Sequence, residues 1–323
     1  MSTKPKLSDF EVIDFHLHVY PRLPWPTSVN PLRQQINQWL KPVSRVQQQA
    51  QTLLRLMPKK LRPIADELGI PMIIPHLLVE SDVFDLENEM HRERVSKAIV
   101  VPHPPLISND FVLYESKRIG GLIPAAFIDP ATMKSGSDLQ AFYNRGVRIF
   151  KINPLQSGVP TEAPFYKEFL SFLNSKKAIL LLHTGAIGSH LFKLPKAGDI
   201  KEYESWFQNY PDIKFVAAHM NFHEPKTAIR MAQKYNNLYL LTSWQPASVL
   251  KQAIRAVGVE KILFASDWPL LGENIRIQKE RLWSLFEKGD LNEEDLTAIF
   301  SGNAKTLLAE PTEKVSPSTE ANP

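Results

Sequence analysis

A (β/α)₈ barrel is the fold class this sequence predicts, and three observations predict it. Eight short apolar runs recur along the chain, at 11–18, 97–102, 121–129, 146–152, 178–183, 213–219, 237–243 and 261–267. Most lack strict apolar/polar alternation, the pattern of parallel strands covered on both faces. Between them lie stretches with helical spacing, such as SDLQAFYNR and TAIRMAQKY. Strand and helix alternating eight times is the order of a barrel.

The first run, EVIDFHLH, places His16 and His18 two residues apart. Side chains at i and i+2 of a strand share a face, so the two imidazoles stand together while Phe15 and Leu17 face the opposite layer. Roughly 75 residues then separate the first run from the second, far more than a crossover needs, so an insertion is expected. It opens with PRLPWPTSVNP, where Asn30 and Pro31 suit the cap and first position of a helix. In VSRVQQQAQTLLRLM, Val43, Val46, Ala50, Leu53, Leu54 and Met57 share one helical face. Arg33, Lys41, Arg45, Arg55, Lys59, Lys60 and Arg62 make this segment basic. It reads either as a solvated helical cap or as a lid whose arginine pairs with a substrate carboxylate. The expected organisation is one barrel domain over residues 1–308, with the insertion at about 20–92, and a disordered polar tail over 309–323.

Composition excludes several function classes. Hydrophobic residues are 43% and charged residues 22% of the 323, the balance of a soluble globular protein. No apolar stretch approaches the ~20 residues that span a bilayer. The start, MSTKPKLSDF, lacks the apolar core of a signal peptide, so a cytoplasmic location is expected. Cysteine is absent, which removes disulfides, thiolate nucleophiles and cysteine zinc fingers, and leaves His, Asp and Glu as metal ligands. A net charge of +4, dispersed along the chain, does not suggest nucleic acid. A small-molecule substrate is expected, with neither nucleic acid nor membrane as a partner; a homo-oligomer stays open.

In a barrel, functional side chains sit at the C-terminal ends of the strands. Those ends carry His16 and His18, then His103 just past the second run, then Lys151, His183, His219 and Asp267. Three imidazoles and a carboxylate make a complete set of ligands for a zinc-like divalent ion, with room for water.

The segments DFHLH, GVRIFKINP, LLLHTG, FVAAH, FASDWP and GNAKTLL, in this order and spacing, resemble the amidohydrolase superfamily. The likeness is to its amidohydrolase-related (type 2) branch of metal-dependent TIM barrels, and it covers nearly the whole chain. The resemblance implies that His16, His18 and His183 are metal ligands. Asp267 would be a further ligand that also handles the proton of the attacking water. His219 would act as general base or polarise the attacked group. The ion expected is Zn²⁺, with Mn²⁺ or Fe²⁺ as alternatives. Lys151 stands where binuclear members carry a carboxylated lysine that bridges two metals, and where decarboxylase members usually lack a lysine. One ion is expected if Lys151 balances Asp267 or holds a substrate carboxylate, two if it is carboxylated. The expected activity is hydrolysis of a small organic amide, lactone or ester by metal-activated water. The alternative is a metal-dependent decarboxylase of an unsaturated or aromatic carboxylic acid, and a non-catalytic binding barrel is the third reading.

Substrate contacts are expected from His103, His223 and Trp244. His103 reads equally as a structural loop residue, and Trp244 and Trp268 as pocket wall or packing. His223, four residues after His219, suits a helical metal pair if both lie on one helix. His190 lies in a loop; His76 and His91 suit surface or packing roles.

Overall fold

The computed structural model describes residues 5–21, 57–69, 81–133, 136–270 and 274–309, together with scattered helical positions between 35 and 53. Eight strands are present: β1 (Val12–Leu17), β2 (Val95–Val100), β3 (Leu122–Phe127), β4 (Ile149–Ile152), β5 (Ile179–His183), β6 (Lys214–Ala218), β7 (Leu238–Leu241) and β8 (Ile262–Leu263). They form one sheet in sequence order, and every neighbouring pair is parallel. β8 is short, yet the chain beyond it runs along β1. Phe15 N–H donates to the Phe264 carbonyl at 2.9 Å, Asp267 N–H to that of His16 at 2.8 Å, and His18 N–H to that of Trp268 at 2.8 Å. These bonds bridge the seam, and the sheet curls into a nearly closed TIM barrel with helices between its strands, as the sequence predicts.

Each strand divides its side chains between two apolar layers. On β5, Leu180 and Leu182 pack outward with Phe169, Leu173 and Phe207. Ile179 and Leu181 pack inward with Ile149, Val216 and Leu263. The inward parity of Ile149 continues to Lys151, that of Leu181 to His183, and that of Ala265 to Asp267. Alternation alone thus delivers three chemically active side chains to the barrel mouth.

β1 departs from the expected alternation. Asp14 pairs with Ala98 and Leu17 with Val100, so three residues on β1 span two on β2. Such a bulge resets the two-residue period. Phe15 consequently joins Ile13 in the interior, while Leu17 stays in the outer layer. The expectation that both face outward is corrected for Phe15.

Within the insertion, the helices Arg62–Gly69 and Val83–Glu93 are described. The second starts at Asp82, whose side chain accepts from the N–H groups of Phe84 and Asp85, and carries His91 on its exposed side. Val43, Val46, Ala50 and Leu53 are helical and exposed, so the apolar face read from the sequence is uncovered at these positions. Asn30, Pro31, Arg33, Lys41, Leu54, Arg55, His76 and the tail after 309 lie outside the described residues. No helix among the described residues is long and apolar enough to cross a membrane.

Candidate metal centre at the barrel mouth

His16, His18 and Asp267 converge, each offering one ligand atom within 4.8 Å of the others. His16 Nδ1 lies 3.5 Å and His18 Nε2 3.3 Å from Asp267 Oδ1. All three residues are buried. His18 Nδ1 lies 2.7 Å from the Val101 carbonyl, and a carbonyl only accepts, so Nδ1 carries the hydrogen. In the neutral ring that tautomer leaves the Nε2 lone pair towards the site, the arrangement that orients a metal-binding imidazole. Both nitrogens of His16 and both carboxylate oxygens of Asp267 are buried without a hydrogen-bond partner. An ionised carboxylate is costly to bury in that condition. Two imidazoles and a carboxylate are also the donor set that divalent transition metals accept. The residues present therefore fit a metal ion.

The remaining predicted residues surround this trio. The His219 ring lies 5.3 Å from those of His16, His183 and Trp244. Its Nδ1 meets the Ser243 hydroxyl at 3.0 Å, which turns Nε2 towards Asp267, 3.9 Å from Oδ2. His183 keeps partial exposure and stands beyond the trio, beside His219. His103 stacks 5.3 Å from His18, and its Nδ1 meets the Tyr20 hydroxyl at 3.1 Å. Lys151 is buried, and its Nζ has no hydrogen-bond partner.

Burial sets the protonation of this cluster. It pushes His16, His183 and His219 well below the ordinary histidine range, and the charge of Lys151 pushes the same way. His103 falls to about 3 for the same first reason. His16, His103, His183 and His219 are consequently neutral at physiological pH, the form in which an imidazole binds metal. Burial also brings Lys151 down to about 7, against the opposing pull of Asp267.

The end of β6 is held in a strained backbone. His219, Met220, Asn221 and Phe222 have φ of 61°, 46°, 60° and 24°. Non-glycine residues in such regions cost about 1–3 kcal/mol each and persist where surrounding contacts impose them. Those contacts are visible. Thr184 Oγ1 accepts from Asn221 N–H at 2.8 Å, Asn221 Oδ1 accepts from Ile200 N–H at 2.9 Å, and Gln245 Nε2 donates to the His219 carbonyl at 2.5 Å. Gly185 explains the glycine of LLLHTG: its φ is 116°, and a Cβ there would sit 2.6 Å from the Phe222 side chain.

The insertion reaches the same end of the barrel. Asp66, on the helix Arg62–Gly69, accepts from His223 Nε2 through Oδ1 and from Gly188 N–H through Oδ2, both at 2.9 Å. Glu67 accepts from His190 N–H at 2.9 Å, and Arg62 pairs with Glu224 at 2.9 Å. His219 opens a short 3-10 turn over His219–Asn221 and His223 lies beyond it, so the two do not share an α-helix, and His223 is engaged with the helix Arg62–Gly69. Trp244 stacks on His219 and meets Phe222 edge-on at 5.1 Å, while Trp268 is buried in the outer core.

Four contributors escape a reading of the sequence. Asp14 is wholly buried, and its Oδ1 accepts from the N–H groups of His16 and Ser266 at 3.1 Å each, tying together the two segments that carry His16 and Asp267. Burial raises its carboxyl to about 7, with the hydrogen bonds from Ser266 and His16 pulling the other way. The signal in the sequence is an acid inside an apolar strand, two residues before the HxH pair. Ser243 and Tyr20 reveal themselves only through the histidines they contact, and Asp66 only through a contact across 157 positions.

Comparison with known proteins agrees with this geometry. The Amidohydro_2 (amidohydrolase) family model matches residues 13–309, and the chain belongs to that family of enzymes. A search of curated proteins gives no match. Among solved structures, an uncharacterized TIM-barrel protein from Bordetella bronchiseptica, Bb4693, superposes with a TM-score of 0.64 at 18% identity, covering 93% of this chain and 99% of that one. A dihydroxybenzoic acid decarboxylase from a Polaromonas species, with bound manganese and 2-nitroresorcinol, gives 0.59 at 17%, covering 92% and 96%. An amidohydrolase from Burkholderia multivorans with bound zinc gives 0.56 at 13%, covering 75% and 94%. At these identities the structural likeness speaks for the fold.

Proposed function

We propose that the chain is a metal-dependent hydrolase that directs water at an amide, lactone or ester of a small organic molecule. The observation that carries this reading is the buried His16–His18–Asp267 trio, in which both His16 nitrogens and both Asp267 oxygens lack hydrogen-bond partners and His18 is held at Nδ1 by the Val101 carbonyl. These three residues would hold the ion, with His183 as a further ligand. When bound, a divalent ion supplies Lewis acidity and lowers the pKa of coordinated water. Zinc suits the donor set, with manganese or iron as alternatives, and relatives of this fold hold zinc or manganese.

The protein groups divide the remaining tasks. Asp267 accepts a proton from the attacking water, since its carboxylate is spared any other hydrogen-bond duty. His219, held at Nδ1 by Ser243, presents Nε2 to the attacked group, where it stabilises the oxygen that gains charge. Trp244 shields that imidazole. Lys151 balances the carboxylate charge or holds a substrate carboxylate; if carboxylated, it would bridge a second ion.

A second reading, decarboxylation of an unsaturated or aromatic carboxylic acid, draws on the manganese-containing decarboxylase of the same fold. Incubation of the metal-loaded enzyme with lactones, amides, esters and aromatic or unsaturated acids tests both. Acid production without gas supports hydrolysis. Carbon dioxide release without net water consumption replaces it with the second reading, and turnover that survives removal of metal contradicts both.

A further inference from the structure

We propose that the insertion between β1 and β2 docks the protein on an anionic lipid surface, through uncovered apolar helical faces set among basic side chains. Trp39, Val43, Val46, Ala50 and Leu53 are helical and exposed, at the three- and four-residue spacing of a single helical face. Trp39 is 74% exposed, Val46 63% and Leu53 65%. A second uncovered face follows on the helix Arg62–Gly69 and the turn before it. Leu61, Ile64 and Leu68 are exposed there, the last at 70%, while Ala65 and Asp66 are buried. That helix turns its acids to the barrel: Asp66 accepts from His223 and Gly188, and Glu67 from His190 N–H. Apolar side chains are left on the solvent side, the reverse of an ordinary surface helix. Exposed apolar surface of this kind marks a contact with a partner or a membrane.

Charge identifies the occupant. Residues 15–65 contain eight lysines and arginines and no aspartate or glutamate, which leaves the rest of the chain net acidic. The net charge of +4 conceals this division, which is why composition alone gives no sign of a membrane partner. Arg45, Lys59 and Lys60 are exposed next in sequence to the apolar positions. Lys59 and Arg62 share the Glu224 carboxylate, at 3.1 and 2.9 Å, which ties the basic edge to the barrel. Clusters of roughly four to eight basic residues on an amphipathic helix suit anionic headgroups, while Trp and Leu enter the boundary between headgroups and acyl chains. A second copy of the chain fits less well, because a two-fold contact sets the same basic surface against itself. Nucleic acid would meet the charges but leave Val46, Leu53, Ile64 and Leu68 uncovered. Docking in the plane of a membrane requires no spanning helix, and none of the described helices could span one.

Vesicle flotation of the full chain tests this without a substrate and without reference to the metal site. The probes are vesicles of phosphatidylcholine alone and of an equimolar mixture with phosphatidylserine. Wild type is compared with Trp39→Ser/Leu53→Ser and with Arg45→Gln/Arg55→Gln/Lys60→Gln, each checked for folding by circular dichroism. Wild type is expected to bind the mixed vesicles about 100-fold or more tightly than the neutral ones, since each basic residue near the surface contributes about five-fold. The triple variant should lose about 100-fold on mixed vesicles, and the apolar variant about ten-fold or more. No retention on mixed vesicles, equal retention on both kinds, or retention that the Trp39→Ser/Leu53→Ser change leaves intact overturns the proposal. Two lipid-free measurements cover the rival occupants. A dimer in sedimentation velocity that the same change dissolves assigns the face to a second copy instead. Tighter binding of duplex DNA than of mixed vesicles assigns it to nucleic acid. The wild-type comparison decides the matter even where a variant fails to fold.

Discussion

Replacing Asp66 with alanine should unlatch the insertion helix from the barrel without unfolding the barrel. The Asp66 and His223 side chains are each about 6% exposed, so water offers little compensation when one is removed. The carboxylate accepts two hydrogen bonds, from His223 Nε2 and from Gly188 N–H. Bonds to a charged group contribute about 1.5–3 kcal/mol each, so the two together hold the helix by about 3–6 kcal/mol. The flanking pairs are more exposed; Glu224, which takes both Arg62 and Lys59, is 41% exposed, and such pairs contribute about 0–1 kcal/mol. Taking the low end, Asp66→Ala raises the open population of the helix about 100-fold. Native-state hydrogen exchange read by mass spectrometry resolves this directly. Peptides covering Arg62–Gly69 should exchange about 100-fold faster, while those of β5 and β6 keep their wild-type rates. A cycle of Asp66→Ala, His223→Ala and the double variant should give a coupling of about 1.5–3 kcal/mol. Unchanged exchange at the helix, acceleration spread evenly over the barrel, or a coupling below about 0.5 kcal/mol would refute the latch.

Further expectations concern His219, Lys151 and the response to pH. His219→Asn should keep its metal, measured by emission spectrometry, while turnover falls by about 10²–10⁴, the usual size of an acid–base contribution; metal loss equal to that of a His16 variant would make His219 a ligand instead. Added bicarbonate should leave activity unchanged if Lys151 only balances charge, and activation with two ions per chain would show a carboxylated bridge. The metal-free protein should lose thermal stability as pH falls through about 6.5, because the unfolded chain takes up protons that His16, His183 and His219 refuse when buried. Asp14 acts in the opposite sense: its folded value of about 7 exceeds the unfolded 3.8, so its contribution grows as pH falls through that window. Asp14→Asn should therefore steepen the acid loss, and a shallower melting profile in the variant would contradict the assignment.

The fold was legible because each strand is a short apolar run whose inner and outer residues both bury. The same parity carried the reading from Ile149 to Lys151 and from Ala265 to Asp267. It failed at β1, where the bulge between Asp14 and Leu17 moves Phe15 inward, since no residue type there announces an extra position. Of the candidate site, His16, His18, His183, His219 and Asp267 were legible from their recurrence at strand ends. The groups that orient them were not. Ser243 is an ordinary serine until the turn after β7 brings it to His219 Nδ1, and Asp66 is one more acid in a charged helix until it meets His223. The strained turn at His219–Phe222 depends on Thr184, Asn221 and Gln245, drawn from three loops, which no local pattern joins.

If His16, His18 and Asp267 form a metal site, the metal content of the protein must depend on them. Wild type and the His16→Ala/His18→Ala double variant would be stripped with chelator, reloaded with zinc, desalted and measured by emission spectrometry beside their circular dichroism. About one tightly held ion is expected per folded wild-type chain, with near-complete loss in the folded double variant. Equal metal content in the two proteins would contradict it.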